Sequence, residues 1–100
     1  MDIKILDEKN FKTEVEEGNW LVMFWASWCG PCIDTTYLQE FQKLNKNWSV
    51  AKVNIEENFD LSSNYSITIV PTYILYKNGH TKKKIVGLQS LQSLQKAITL

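Results

Sequence analysis

The sequence predicts an α/β domain, a central mixed β-sheet in the order βαβαβαββα with helices on both faces. Three observations predict it. Residues 20–26 are apolar almost throughout (Trp20-Leu21-Val22-Met23-Phe24-Trp25-Ala26), the pattern of a strand covered by helices on both sides. Segments with helical spacing alternate with short apolar runs, which favours parallel pairing through right-handed crossovers. Lys77-Asn78-Gly79-His80 carries an Asn-Gly hairpin signal, so the last two strands pair antiparallel.

The elements follow in order. Ile3-Lys4-Ile5-Leu6 reads as a short strand. Asp7 is placed to cap a first helix with Phe11 and Val15 on one face, and Gly18-Asn19 ends it. After the buried strand, Ile33, Tyr37, Leu38, Phe41 and Leu44 fall at helical steps, so a helix is expected over 31–46. Ser49 to Ile55 forms the next strand, with Lys52 and Asn54 set between apolar residues. Asn58 caps a short helix carrying Phe59, Leu61 and Tyr65. Pro71 opens the strand Thr72-Tyr73-Ile74-Leu75-Tyr76, and Thr81 to Val86 returns antiparallel. Ser90 caps a last helix with Leu91, Leu94 and Ile98 on one stripe. No repeat or linker intervenes, so residues 1–100 read as one domain.

A composition 44% apolar and 12% aromatic supports a packed core. The net charge of zero leaves no electrostatic footprint for nucleic acid or an anionic membrane. Lys82-Lys83-Lys84 reads as the charged margin of an edge strand, which discourages edge-to-edge pairing. Trp20 and Trp48 read as packing residues and His80 as an exposed turn residue. The N-terminus has no basic region followed by a long apolar stretch, so no signal peptide is read. The apolar run 20–26 is far shorter than the ~20 residues that span a bilayer. A monomeric cytoplasmic protein is the expectation. In that reducing compartment a disulfide is more often catalytic than structural.

The only two cysteines stand in Trp28-Cys29-Gly30-Pro31-Cys32, where the buried strand turns into a helix. A thiolate attacks a disulfide; a thiol does not. At the start of a helix Cys29 lies near unpaired backbone N–H groups that favour its anion, so its pKa is expected to fall. Pro31 suits the first turn, where its missing N–H has no partner anyway. Gly30 is read as permitting the tight turn, and Cys32 as the more buried partner that closes a small ring. The expected chemistry is attack by Cys29 on a substrate disulfide, then resolution of the mixed disulfide by Cys32. Zinc takes about four ligands, and only His80, in a distant turn, accompanies the pair, so no metal is expected. As a structural staple so short a loop removes little chain entropy.

Phe24-Trp25-Ala26-Ser27-Trp28-Cys29-Gly30-Pro31-Cys32, Ala51-Lys52-Val53-Asn54-Ile55, Val70-Pro71-Thr72 and Lys77-Asn78-Gly79, together with Gly87, resemble the thioredoxin family in order and spacing. The resemblance implies the thioredoxin fold and a cis Val70–Pro71 bond lying against the dithiol. Pro71 then offers no N–H, and Val70 backbone groups pair with an extended substrate segment. Trp28 covers one side of the site. Gly-Pro between the cysteines resembles the reducing members of the family; oxidising relatives usually carry a histidine there. The resemblance therefore implies a protein-disulfide reductase with no bound cofactor. It further implies that a flavoprotein thioredoxin reductase supplies the electrons and that the acceptors are disulfide proteins of the ribonucleotide reductase, peroxiredoxin or methionine sulfoxide reductase types.

The chain also departs from the family pattern. Met23 stands where thioredoxins commonly bury an Asp thought to assist proton transfer at the resolving cysteine. Lys52 matches the lysine that neighbours that Asp, and water positioned by Lys52 is expected to take the Cys32 proton instead. Tyr37 replaces a helix-kinking proline, so a straighter helix is expected. Ile33 and Ile69 replace more polar or smaller residues; with Val70 they form an apolar rim around the dithiol, or else Ile33 packs into the core. Two other readings stand beside the general reductase: a redox partner dedicated to one substrate, and a non-catalytic docking module.

Overall fold

A computed structural model describes residues 3–99; residues 1, 2 and 100 of the expected domain lie outside the described residues. Strands β1 (Lys4–Ile5), β2 (Asn19–Trp25), β3 (Trp48–Asn54), β4 (Thr72–Lys77) and β5 (His80–Val86) form one sheet in the order β1-β3-β2-β4-β5. β1 and β2 both run parallel to β3, whereas β4 runs antiparallel to β2 and to β5. The mixed sheet expected from the sequence is thus present, with strand ends within a residue or two of the expected ones. β2 lies at its centre and is buried from Trp20 to Phe24.

Alternation along β2 divides the core into two layers. Trp20, Val22 and Phe24 face α1 (Phe11–Val15) and α4 (Phe59–Asn64), packing with Leu6, Phe11, Val15 and Tyr76. Leu21 and Met23 face α3 (Thr36–Leu44) and α5 (Leu91–Thr99), packing with Leu38, Phe41, Tyr73 and Leu94. Both faces are therefore helix-covered. Full burial of a side chain such as Phe24 contributes roughly 1.5–3 kcal/mol.

The hairpin forms as its Asn-Gly pair requires: Asn78 and Gly79 take φ 51° and 83°. Asn78 also ties the turn to Gly18 (φ 85°), donating its N–H to the Gly18 carbonyl at 2.8 Å and accepting the Gly18 N–H on Oδ1 at 2.9 Å. Ser90 caps α5, its Oγ accepting the Ser93 N–H at 3.1 Å. β5 is an edge strand with Lys82, Lys83 and Lys84 exposed. Lys84 has a further role: its ammonium donates to the carbonyls of Tyr65 and Ser66, both at 3.0 Å, just past the end of α4. Trp20 is buried, Trp48 packs edge-on to Phe41, and His80 is exposed at the hairpin.

Three helix expectations need correction. Asn58 stands at the N-cap position of α4, but its side chain makes no cap: its Oδ1 accepts the Glu8 N–H, and Glu8 Oε2 accepts the Leu61 N–H of the first turn. Asp7 does not cap α1, which begins at Phe11. It closes the preceding turn instead, accepting the N–H groups of Lys9 and Asn10 while Asn10 Oδ1 accepts the Asp7 N–H. The expected helix 31–46 is broken into α2 (Gly30–Ile33) and α3, with Asp34 extended between them at φ −80°, ψ 111°. No proline causes the break. Asp34 Oδ1 accepts the Thr36 N–H at 2.9 Å and the Thr36 hydroxyl at 2.6 Å, a local alternative to the helical ladder. The straight helix expected from Tyr37 is therefore not formed.

Candidate active site

The C-terminal ends of β1, β2 and β3 and the start of β4 lie at one end of the sheet, so the loops that leave them converge there. β2 delivers Ala26, and a turn closed by the Cys29 N–H on the Ala26 carbonyl (3.1 Å) brings the chain to the cysteines. Cys29 and Cys32 are joined in a disulfide, with Cα atoms 5.4 Å apart. They form a small cluster with Ala26, against which Trp25, Ile55 and Val70 pack. The Val70–Pro71 bond is cis, as the resemblance implied, and Pro71 is buried at the entry to β4.

The turn before the cysteines is braced from β3. Asn54 Oδ1 accepts the N–H groups of Glu56 and Glu57, and Glu56 Oε1 accepts the Ser27 N–H at 2.7 Å. That backbone hydrogen bond holds the exposed Glu56 carboxyl below its ordinary range. Asp34, on the far side of the dithiol in sequence, is likewise lowered by the hydroxyl and N–H of Thr36. The Glu56 carboxylate is thus fixed on the backbone two residues before Cys29, and the Asp34 carboxylate sits two residues after Cys32.

Cys29 occupies the N-cap position of α2 in extended conformation, and Pro31 lies in the first turn, as expected. Two details differ. Because Asp34 ends α2, that helix is one turn long. Any stabilisation of a Cys29 thiolate comes from the free N–H groups of this turn rather than from a long helix. Gly30 has no positive φ, and a Cβ there would meet open space, so the turn does not require glycine. In the disulfide form Cys29 is only 6% exposed and Cys32 2%. The difference runs in the expected direction but is small.

Exposed apolar side chains surround the pair. Trp28, Ile33, Ile69 and Leu88 are each more than half exposed, and Val70 is half-buried. Ile33 therefore belongs to the rim rather than the core, because its helix ends at Ile33 and never turns it inward. Thr72 Oγ1 donates to the Ile69 carbonyl at 2.5 Å, fixing the loop that presents Ile69 and Val70.

Beneath the site, Met23 is fully buried and lies opposite Lys52 on one side and Tyr73 on the other. The Lys52 ammonium sits over the Trp25 ring, 4.9 Å from its centroid. Tyr37 supplies what the sequence did not announce: its hydroxyl donates to Met23 Sδ at 3.5 Å and lies 2.6 Å from the Tyr73 hydroxyl, which accepts the Gln89 N–H at 3.3 Å. Burial, then the Tyr73 hydroxyl, pushes the Tyr37 phenol far above its ordinary range, so it is a donor and no base at neutral pH. Sequence reasoning also missed the parts played by Asp34, Glu56 and Leu88. Asp34-x-Thr36 and Asn54-x-Glu56 carry local turn patterns that point to the first two. Tyr73 reads only as a strand residue.

A cystine held at the carboxyl ends of parallel strands, with an apolar rim and a neighbouring cis-proline, defines a thiol–disulfide oxidoreductase. Comparison with known proteins agrees. The family described as Thioredoxin matches residues 2–100. The thioredoxin of Rickettsia felis is 44% identical over 91 residues, covering 87% of each chain. That of Chlamydia pneumoniae is 34% identical over 97 residues, covering 96% of this chain and 95% of its own. A chain from a structural study of thiol resolution in yeast mitochondrial 1-Cys peroxiredoxin by glutathione and thioredoxin systems superimposes with TM-score 0.87 at 25% identity, covering 98% of this chain and 94% of its own. The chain belongs to the thioredoxin family. Its chemistry is dithiol–disulfide exchange on protein disulfides through Cys29 and Cys32, and proteins of this family are re-reduced by thioredoxin reductase. Among the described residues no helix is long and apolar enough to cross a membrane.

Proposed function

We propose that this protein works as a general protein-disulfide reductase in the cytoplasm, as a monomer, with Cys29 as nucleophile and Cys32 as resolver. The Cys29 thiolate attacks one sulfur of a substrate disulfide, forming a mixed disulfide and releasing the first substrate thiolate. Cys32 then loses its proton and attacks Cys29 Sγ. The Cys29–Cys32 bond forms, the second substrate thiolate leaves, and two electrons have passed to the substrate. The observation that supports this most is the pairing of the chain's two cysteines at a turn rimmed by exposed apolar side chains.

The other residues serve that exchange. Trp28 walls one side of the site, Pro31 shapes the turn between the sulfurs while Gly30 occupies it without needing to be glycine, and the backbone at Val70 and Pro71 receives an extended substrate strand. Met23 offers no carboxylate to take the Cys32 proton, and the raised Tyr37 phenol does not take it either. Water beside Lys52 is the acceptor in this reading. Electrons enter from thioredoxin reductase and leave to ribonucleotide reductase, peroxiredoxin or methionine sulfoxide reductase types.

A trap tests the assignment. Cys32→Ser should accumulate covalent complexes through Cys29 that dithiothreitol releases, whereas Cys29→Ser should not; equal trapping by both variants refutes the roles. Insulin reduction by dithiothreitol separates the alternatives, because a docking module gives no acceleration and a general reductase a strong one. The rim of Ile33, Ile69 and Leu88 favours a second reading, a narrower partner set with apolar surfaces. It predicts slow insulin turnover beside fast reduction of one trapped partner.

A further inference from the structure

A groove of about 430 Å³ opens directly beside the dithiol, between the α2–α3 break and the loop that leads from β5 to α5. Pro31, which stands between the two cysteines in sequence, forms one wall and so places the groove next to the reactive disulfide. Leu88 and the Tyr37 ring supply further apolar surface, and Asp34 supplies a carboxylate. Both hydrogen bonds to that carboxylate fall on Oδ1; Oδ2 takes none among the described residues. No lysine of this chain neutralises it: among the described residues the one ion pair is Lys4–Glu14. The bias extends around it. The loops at this end of the sheet carry Asp7, Glu8, Asp34, Glu56 and Glu57 against Lys9 alone, although the whole chain is neutral.

We propose that this groove is a specificity subsite for a lysine or arginine side chain flanking the disulfide of the substrate protein. The aliphatic stem lies along Pro31, Leu88 and Tyr37, and the cationic head meets Asp34 Oδ2. A stem with a charged tip suits a groove that is apolar along Pro31, Leu88 and Tyr37, with Gln89 and Ser90 beside them, and negative at Asp34. Asp34 is then a specificity-determining residue for disulfide exchange. Its hydrogen bonds to Thr36 favour its charged form and hold it at the break between α2 and α3.

The proposal rests on the reductase reading above, and the test separates the two. Reduced protein is mixed with synthetic disulfide peptides that differ only in one residue flanking the cysteine, placed in turn at the two positions on either side: lysine, norleucine, glutamate or alanine. The rate of peptide reduction is followed. At one or more positions lysine should exceed norleucine about two- to fivefold at low salt, as expected of a solvent-screened ion pair. The advantage should shrink as salt is raised. Asp34→Asn keeps the acceptor for Thr36 and removes the charge, so the lysine-to-norleucine ratio should fall to about one. Leu88→Ser should lower the rates of both long-chain peptides relative to alanine. A ratio near one in the native protein at every position, or a ratio unchanged by Asp34→Asn while all peptides slow together, overturns the subsite and leaves the reductase reading intact. Failure to reduce any peptide overturns both.

Discussion

The hydroxyl pair of Tyr37 and Tyr73 offers a quantitative test of how this domain manages polar groups beneath its active site. Tyr73 is fully buried, Tyr37 half-buried, and their oxygens lie 2.6 Å apart. Tyr37→Phe removes the Tyr73 partner but leaves Tyr73 with the Gln89 N–H; Tyr73→Phe leaves that N–H unpaired and Tyr37 with only a methionine sulfur. A buried hydrogen bond is worth about 0.5–1.5 kcal/mol net, and an orphaned polar group costs about 1–3 kcal/mol. Tyr37→Phe should therefore destabilise by about 1 kcal/mol and Tyr73→Phe by about 2 kcal/mol. The double variant orphans no hydroxyl, so it should cost about 1 kcal/mol less than the sum of the singles. Urea unfolding of the oxidised protein measures all three, and each kcal/mol should move Tm by about 4–8 °C. Tyr37 also bears on alkaline stability, as does Tyr76, both phenols being raised first by burial. Tyr37 has its folded pKa raised, so its contribution is complete below the unfolded tyrosine value of about 10 and is lost as pH rises from there toward the folded value. Tyr37→Phe should flatten that alkaline decline. Additive single effects, or an unchanged alkaline limb, would refute the coupled pair.

Three further outcomes follow from the site. Met23→Asp places a carboxylate in a fully buried position, so stability should drop by several kcal/mol, on the scale of about 2–5 kcal/mol for lost methionine packing plus desolvation of the charge. If a carboxylate can take the Cys32 proton, this variant should also resolve mixed disulfides faster near neutral pH in stopped-flow measurements. Gly30→Ala should fold normally and gain about 0.4–1 kcal/mol, since its Cβ meets open space and φ is not positive; a loss in thermal unfolding would contradict the geometry. Replacing both Ile33 and Ile69 by Ser should slow reduction of insulin severalfold more than reduction of a small aromatic disulfide. Equal slowing would remove the apolar rim from substrate recognition.

Where periodicity alone decides an element, the chain declares itself. Trp20 to Ala26, seven residues bounded by Gly18-Asn19, has the length and continuity of a strand covered on both faces, and Asn78-Gly79 takes the positive φ that Asn and Gly tolerate. The dithiol turn was legible for the same reason: Pro31 is compatible with the first helical turn and little else in that context. What remained hidden was a competition between hydrogen bonds of similar strength. Ile33, Tyr37, Leu38 and Phe41 keep helical spacing straight through Asp34, so an apolar count predicts one helix. The Thr36 N–H is nevertheless better satisfied by the Asp34 carboxylate than by a helical carbonyl. Likewise the Asp7 and Asn10 exchange displaced the first helix by a turn without changing which residues face the core. The Tyr37–Tyr73 contact was illegible because it joins residues 36 positions apart across two elements.

These hidden interactions share a physical logic that ties the shape of the site to its charge. A loop at the end of a parallel sheet must satisfy backbone N–H groups that no neighbouring strand can reach. Here side chains do so: Asn54 for Glu56 and Glu57, Glu56 for Ser27, and Asp34 for Thr36. Two of those acceptors are carboxylates, and N–H donors lower their pKa, so the bonds that shape the dithiol turn also keep negative charge fixed around it. The same anions attract basic substrate segments. Removing the Asp34 charge should therefore weaken selection among substrates while the hydrogen bonds that shape the turn persist, which separates recognition from local structure at a single carboxylate.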